Sequence, residues 1–288
     1  MLLSVDDAAT TGGPDPSTCP PFDVASLKRQ LSVDRFCRWC LLAMLGLGVG
    51  MASVAASHTI HVVAGSIVLL VAVAWIAMSM LNARVARALP AISDLVAQDP
   101  GAAEAVLAEA LARWPLQPSV RLLLYHRLAM VRHRQRRLAE AAAICHAVLD
   151  HAWHLPREAR AHLLLILVEA HLYHRDLVQA YHGLVQLHRV ALNLVEVTQR
   201  LPLQLRYEIL AGHDQAALRS IDRKIQMAEL LPADQCGLVH LLLAMAAGRS
   251  GQTQLARWLK ARAELVCSAE KIQSMAWISS HGNQAPQA

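Results

Sequence analysis

From Trp39 to Ser57 the chain carries no charged residue, and apolar side chains fall on every face a helix would present. A short polar patch follows, His58-Thr59 with His61 nearby. Ile60 to Leu81 is then again free of Asp, Glu, Lys and Arg. A helix of a soluble core keeps one polar face, so a pattern that is apolar all round points to lipid. At 1.5 Å per residue the two stretches cover roughly 28 and 33 Å, near the hydrocarbon thickness of a bilayer. The pattern predicts a transmembrane helical hairpin over 31–87, with spans at about 39–57 and 60–81. Small residues recur in both spans: Gly46, Gly48, Gly50, Ala52, Ala55 and Ala56, then Ala64, Gly65, Ala72 and Ala74. They predict close approach of the two backbones.

Beyond Asn82 the pattern changes to amphipathic helical stretches separated by short turns, with no strand periodicity. Five segments place small residues early in a helix that follows a tight turn. Their last alanines are Ala105, Ala141, Ala180, Ala217 and Ala256, spaced 36, 39, 37 and 39 residues apart. A step this regular predicts a repeat of two helices per unit. The expected pairs are Ser119–Arg134 with Leu138–Trp153, Glu158–His174 with Leu177–Leu192, Leu203–Gly212 with Asp214–Leu230, and Ala233–Gly248 with Gln252–Ser268. Asp99-Pro100 has the order of an N-cap followed by N1. Gly212, Gly248 and Gly251 fall where a left-handed residue would end a first helix. Pro115, Pro118, Pro156, Pro202 and Pro232 punctuate the ends of units.

Tyr125, Leu128, Ala129 and Ala141 follow the order and spacing of the tetratricopeptide repeat, and the chain resembles that family over roughly 91–270. Leu164, Leu167 and Ala180 match in the next unit, where Val168 stands in place of the small residue. Leu243, Ala244 and Ala256 match in the last. The third unit departs from the pattern, with Gln204 in an apolar place, and the steps exceed the family's period of 34. The resemblance implies an all-α chain, with a two-helix transmembrane hairpin followed by an α-solenoid of helix pairs over 88–275. It implies a protein-binding groove lined by first helices. Carried over by position, the groove residues are His126, Met130, His133 and Arg134 in one unit, His162, Leu165 and Glu169 in the next, and Leu241, Met245 and Arg249 in the last. A groove of mixed basic and apolar character suits a protein partner offering an acidic or amphipathic peptide.

Composition adds limits. Of 288 residues, 55% are hydrophobic and 17% charged, too apolar a balance for an ordinary soluble chain. The net charge is +5. Lys28, Arg29, Arg35 and Arg38 precede the first span and Arg84 and Arg87 follow the second, while the connection has neither Lys nor Arg. This asymmetry predicts a two-span integral protein of the cytoplasmic membrane with N- and C-termini in the cytoplasm. Ala55-Ala56-Ser57 reads like a signal cleavage site, but the polar leader is too long and a second span follows at once. The Pro- and Gly-containing segment 1–30 and the tail 276–288 are expected to be disordered.

No phosphate loop, nucleophile elbow, zinc-protease helix or dinucleotide fingerprint is present, and no basic run is interleaved with aromatics. The reading is therefore not an enzyme, with no cofactor, no nucleic acid and no small-molecule substrate. Histidine is abundant, with 15 residues. His171 and His174 share a helical face near Glu169, but the histidines do not converge on one spacing, and no metal site is assigned. Cys37 and Cys40 have the spacing of a redox or metal motif at the mouth of an apolar helix, with no second pair to complete a four-thiolate site. Lipid attachment at such a juxtamembrane cysteine is the other chemistry the position allows.

Overall fold

The computed structural model describes residues 24–54, 58–112, 117–150 and 155–268, and every regular element among them is a helix. Residues 55–57, the tail read over 276–288 and most of the N-terminal tail lie outside them, and His58-Thr59, read as the connection between the spans, begins a helix. The chain divides into two compact units, 1–155 and 156–288.

The first unit contains α1 (Val24–Val54), α2 (His58–Gln98), α3 (Pro100–Ala112), α4 (Pro118–Arg134) and α5 (Leu138–Asp150). Helix α1 begins at Val24, inside the segment expected to be disordered. Tertiary contacts account for this: Leu27 is fully buried. Gln30 Oε1 accepts hydrogen bonds from Arg121 Nη1 at 2.7 Å and from the Tyr125 hydroxyl at 3.1 Å, both on α4.

Helix α2 has 41 residues and does not stop at Arg84 or Arg87. It continues through Pro90, which deletes one backbone hydrogen bond, because Asn82, Val85, Ile92 and Val96 are buried where α2 packs on α3 and α4. No linker separates the apolar part of α2 from the helices that follow. At the junction Asn82, only 3% exposed, donates from Nδ2 to the Met78 carbonyl at 2.7 Å, and its Oδ1 accepts from the Gln117 backbone N–H at 2.6 Å. Gln117 is the N-cap of α4, so a side chain of α2 satisfies a donor beside the start of another helix.

Among the described residues one helix, Gly65–Gln98, is long and apolar enough to cross a membrane, and Trp39–Gly50 is a shorter apolar helix. The glycines do not bring α1 and α2 together as expected. A Cβ added at Gly46, Gly50 or Gly65 would meet nothing within 4 Å. Gly48, half a helical turn from Gly46 and Gly50, is buried instead.

Buried charge ties α3, α4 and α5 together. Arg132 reaches Glu104 on α3 at 2.6 Å and Glu140 on α5 at 3.3 Å, and Gln135 Nε2 donates to Glu104 at 2.9 Å. Asp99 Oδ1 caps α3 by accepting from the Gly101 and Ala102 N–H groups.

The second unit contains α6 (Arg157–Tyr173), α7 (Leu177–Arg189), α8 (Leu194–Leu210), α9 (Asp214–Leu218), α10 (Ile221–Ala228), α11 (Ala233–Arg249) and α12 (Thr253–Val266). Helices α6 with α7 and α11 with α12 pack as pairs, and α8 packs on both α6 and α11. The third pair differs most from expectation. Helix α8 starts nine residues earlier, fixed by a capping box in which Asn193 and Glu196 each bond the other's backbone N–H at 2.8 Å. Pro202 lies inside it, buried. The expected helix 214–230 is broken at Ser220, which adopts φ +55°. Lys224 Nζ donates to two carbonyls just before that break, Ala216 O and Ala217 O.

The turns repeat as regularly as the helices before them, α4, α6, α8 and α11, each 17 residues long. Arg136, Arg175, Gly212 and Gly251 are each left-handed, with φ between 59° and 77°, and are spaced 39, 37 and 39 residues apart along the chain. At each, the next residue's N–H returns to a carbonyl five residues back: Arg137 to Arg132, Asp176 to His171, His213 to Glu208 and Gln252 to Ala247. This is a Schellman closure, and the second helix starts two residues after the left-handed position every time. Gly248, expected to mark such a turn, lies within α11.

Val168, where the second pair departs from the tetratricopeptide pattern, is accommodated from the other side. It faces Gly183 on α7, where an added Cβ would come within 2.6 Å of Val168 Cγ2. Val168 is stiff at χ1 and fully buried, so it cannot turn away.

Two outcomes follow for urea unfolding of the full chain in mild detergent. Gly183→Ala destabilises by about 1–3 kcal/mol through overpacking. In a Val168→Ala background the same substitution becomes neutral or stabilising, because Ala is the better helix former by roughly 0.5–1 kcal/mol. Equal cost in both backgrounds disproves the contact. Arg175→Gly relieves a left-handed residue that costs roughly 1–2 kcal/mol, and raises the midpoint, while Gly251→Ala lowers it. A fall with Arg175→Gly contradicts the turn geometry.

Candidate functional site

The proposed groove residues divide between the two units. On α4, His126 is buried at 3% exposure, Met130 and His133 are half-buried and Arg134 is exposed. Arg134 Nη1 donates to the Ala97 carbonyl at the end of α2, at 2.9 Å. On α6, His162 and Glu169 are half-buried and Leu165 is buried. On α11, Leu241 and Met245 are half-buried and Arg249 is exposed, with Nη1 donating to Ile209 O at 3.1 Å and 3.8 Å from Asp214 Oδ1.

Burial sorts these residues by role. His126 and Leu165 are core positions with almost no surface to offer a partner. In the second unit, His162, Glu169, Leu241, Met245 and Arg249 keep accessible surface on α6 and α11, both of which α8 touches.

That intervening helix carries side chains with no counterpart in the motif-based reading. Tyr207 on α8 stacks on Tyr181 of α7 with ring centroids 5.8 Å apart and 30° between planes, and packs edge-on against His213. Arg200 Nη1 lies 3.1 Å from His188 Nδ1. Burial and the neighbouring guanidinium hold His188 below the usual histidine range. Tyr181 is half-exposed, so the pair presents an aromatic surface beside basic groups. The available signal was that Tyr181 immediately follows Ala180, the repeat's small residue.

Among the described residues no group of three or more His, Cys, Asp or Glu side chains gathers as metal ligands would. His171 Nδ1 lies 3.8 Å from Asp176 Oδ2, in the turn to α7.

His240 on α11 is fully buried, and neither ring nitrogen has a hydrogen-bond partner. Burial pushes its pKa below 6.5; Arg262 on α12 lowers it further, against an opposing pull from Glu229. Arg262 and Glu229 are themselves hydrogen-bonded. The folded chain therefore holds His240 neutral.

No family model, curated protein or solved structure matches the chain. The tetratricopeptide resemblance thus rests on the residues quoted for it.

The His240 environment sets a pH dependence whose sign is fixed. The unfolded chain takes up a proton near the ordinary value, and the folded chain only at lower pH. Unfolding binds a proton in that window, so stability falls as pH drops below about 6.5 and levels off below the folded value. Melting of the full chain followed across this range is expected to show the fall, and His240→Leu to flatten it. An unchanged slope in the variant excludes His240 as a source.

Proposed function

We propose that the chain is a membrane-anchored protein–protein interaction scaffold. In this reading α1 and α2 cross the bilayer as a two-span hairpin with both chain ends in the cytoplasm. The tetratricopeptide-like helix pairs stack as a solenoid and hold a partner through an acidic or amphipathic segment. No catalytic group and no cofactor are assigned. One observation carries the anchor: within the apolar part of α2, Leu69, Leu70, Val73, Ile76 and Met80 are all more than half exposed. Water penalises each such side chain by about 1.5–3 kcal/mol relative to burial, and lipid removes that penalty. The apolar run on α1 is shorter, and the exposed Leu42, Met44, Leu47 and Val49 continue the same surface.

The scaffold is supported by the fourfold turn and by α8 packing on both α6 and α11. Arg249, His162 and the Tyr181–Tyr207 pair give that unit basic and aromatic surface, the chemistry that receives an acidic or amphipathic peptide. Fixing a partner at a membrane raises its local concentration without catalysis.

A second reading makes the chain a structural subunit of a membrane complex, with the hairpin making the key contacts. It is favoured by the open space over Gly46, Gly50 and Gly65, a small-residue face that another apolar helix could approach closely.

Crosslinking of the full chain in native membranes separates the two. The scaffold reading expects a specific crosslinked partner that is lost on His162→Glu with Arg249→Glu and kept when the hairpin is exchanged for an unrelated two-span anchor. The reverse pattern establishes the structural subunit. The anchor is checked separately: Leu70→Asp with Ile76→Asp, each costing about 2.5–3.5 kcal/mol at a bilayer centre, should release the chain from membranes into the soluble fraction. Wild-type chain found there already would end the anchor reading.

A further inference from the structure

Cys37 and Cys40 have no part in the proposed scaffold, yet they line a cavity of the first unit. With Leu41 and Met44 they occupy the i, i+3, i+4 and i+7 positions of one face of α1. Ala74, Ala77, Met78 and Leu81 of α2 stand opposite, and the eight residues line a half-open cavity of about 380 Å³. Its walls are aliphatic except for sulfur: two thiols and two thioethers. Among the described residues, neither carboxylate, imidazole nor amide borders it. Both thiols are reduced and half-buried. Met78 is half-buried, whereas Met80, two residues along the same helix, is exposed.

A disulfide does not suit this pair. Residues three apart on a helix hold their Cβ atoms about 5–6 Å apart, whereas a disulfide needs roughly 3.5–4.5 Å. An ion placed between the sulfurs tolerates the wider spacing, since a metal–thiolate bond of about 2.3 Å on each side bridges more than 4 Å. The donor set selects the ion. Hard cations require oxygen, and structural zinc takes four thiolate or imidazole ligands. Thiolate with thioether is the soft combination that favours Cu(I). Ala74 and Ala77, with their short side chains, line the α2 side of the cavity beside Met78.

We propose that Cys37, Cys40, Met44 and Met78 form a Cu(I)-binding site at the end of the hairpin where α1 enters and α2 leaves its apolar run. Each thiol that coordinates releases its proton to solvent, the thioethers contribute lone pairs without changing charge, and copper stays in the +1 state throughout. The site requires neither the solenoid nor a partner protein.

The test uses the full chain purified without oxygen in detergent, stripped of metal and titrated with Cu(I) against a coloured Cu(I) chelator. The expected result is one Cu(I) per chain with a sulfur-only coordination shell by X-ray absorption. Cys37→Ser with Cys40→Ser abolishes binding. Met78→Leu weakens it by at least about tenfold, the scale of losing even an outer-shell partner of a metal. Met80→Leu, two residues along on the exposed face, leaves it unchanged. Retention of copper by the double cysteine variant, nitrogen or oxygen in the shell, equal affinity in Met78→Leu, or equally tight Zn(II) binding would each overturn the assignment. None of these outcomes bears on partner crosslinking, so the site and the scaffold stand or fall separately.

Discussion

The unbroken course of helix α2 is the constraint from which the first unit follows. Its C-terminal half supplies a packing face, Asn82, Val85, Ile92 and Val96, on which α3 and α4 are built. Its N-terminal half is apolar and bare. Because the two halves are one helix, the orientation of the apolar part relative to α3–α5 is rigid to the extent that a helix is rigid. Asn82 sits where the character changes. Its amide is spent wholly on backbone groups, Met78 O on its own helix and Gln117 N at the start of α4. A buried amide is tolerable only when so satisfied. Gln30 does the same for α1, joining it to Arg121 and Tyr125. The apolar segments are thus tied to the helical unit by polar side chains at their bases.

The sequence carried the helix pairs well because their boundaries are set locally. A left-handed residue, a Schellman closure and a small residue early in the second helix lie within a few positions of one another, and each has a compositional trace. Where the trace is weak the closure forms regardless. Arg136 and Arg175 adopt the left-handed conformation without being glycine, held by the same hydrogen bonds that Gly212 and Gly251 make. Gly248, a stronger signal by residue type, is helical because Gly251 already ends the helix.

Legibility failed where tertiary contacts decide. Pro202 read as the end of a unit, yet it lies buried inside α8. Val24 to Gln30 read as tail, yet Leu27 is buried. The glycines of the apolar stretches read as a helix–helix seam, and only Gly48 is on the buried side. In each case the residue type was informative about propensity and silent about its neighbour. The same holds for the candidate groove. Motif position nominated His126 and Leu165 alongside Met245 and Arg249, and only packing separates the first two, which are core, from the last two, which keep surface. Tyr207 was missed because its importance comes from Tyr181 on another helix.

The Val168–Gly183 contact shows how volume is balanced across a helix pair. Val168 stands where α6 meets α7, and the space it takes is left open by Gly183 on the facing helix. A buried, hydrogen-bond-poor histidine at position 240 and a capping box that extends α8 past its expected start are further local features of the second unit. The turns step by 39, 37 and 39 residues, and the helices that precede them, α4, α6, α8 and α11, are each 17 residues long although their compositions differ.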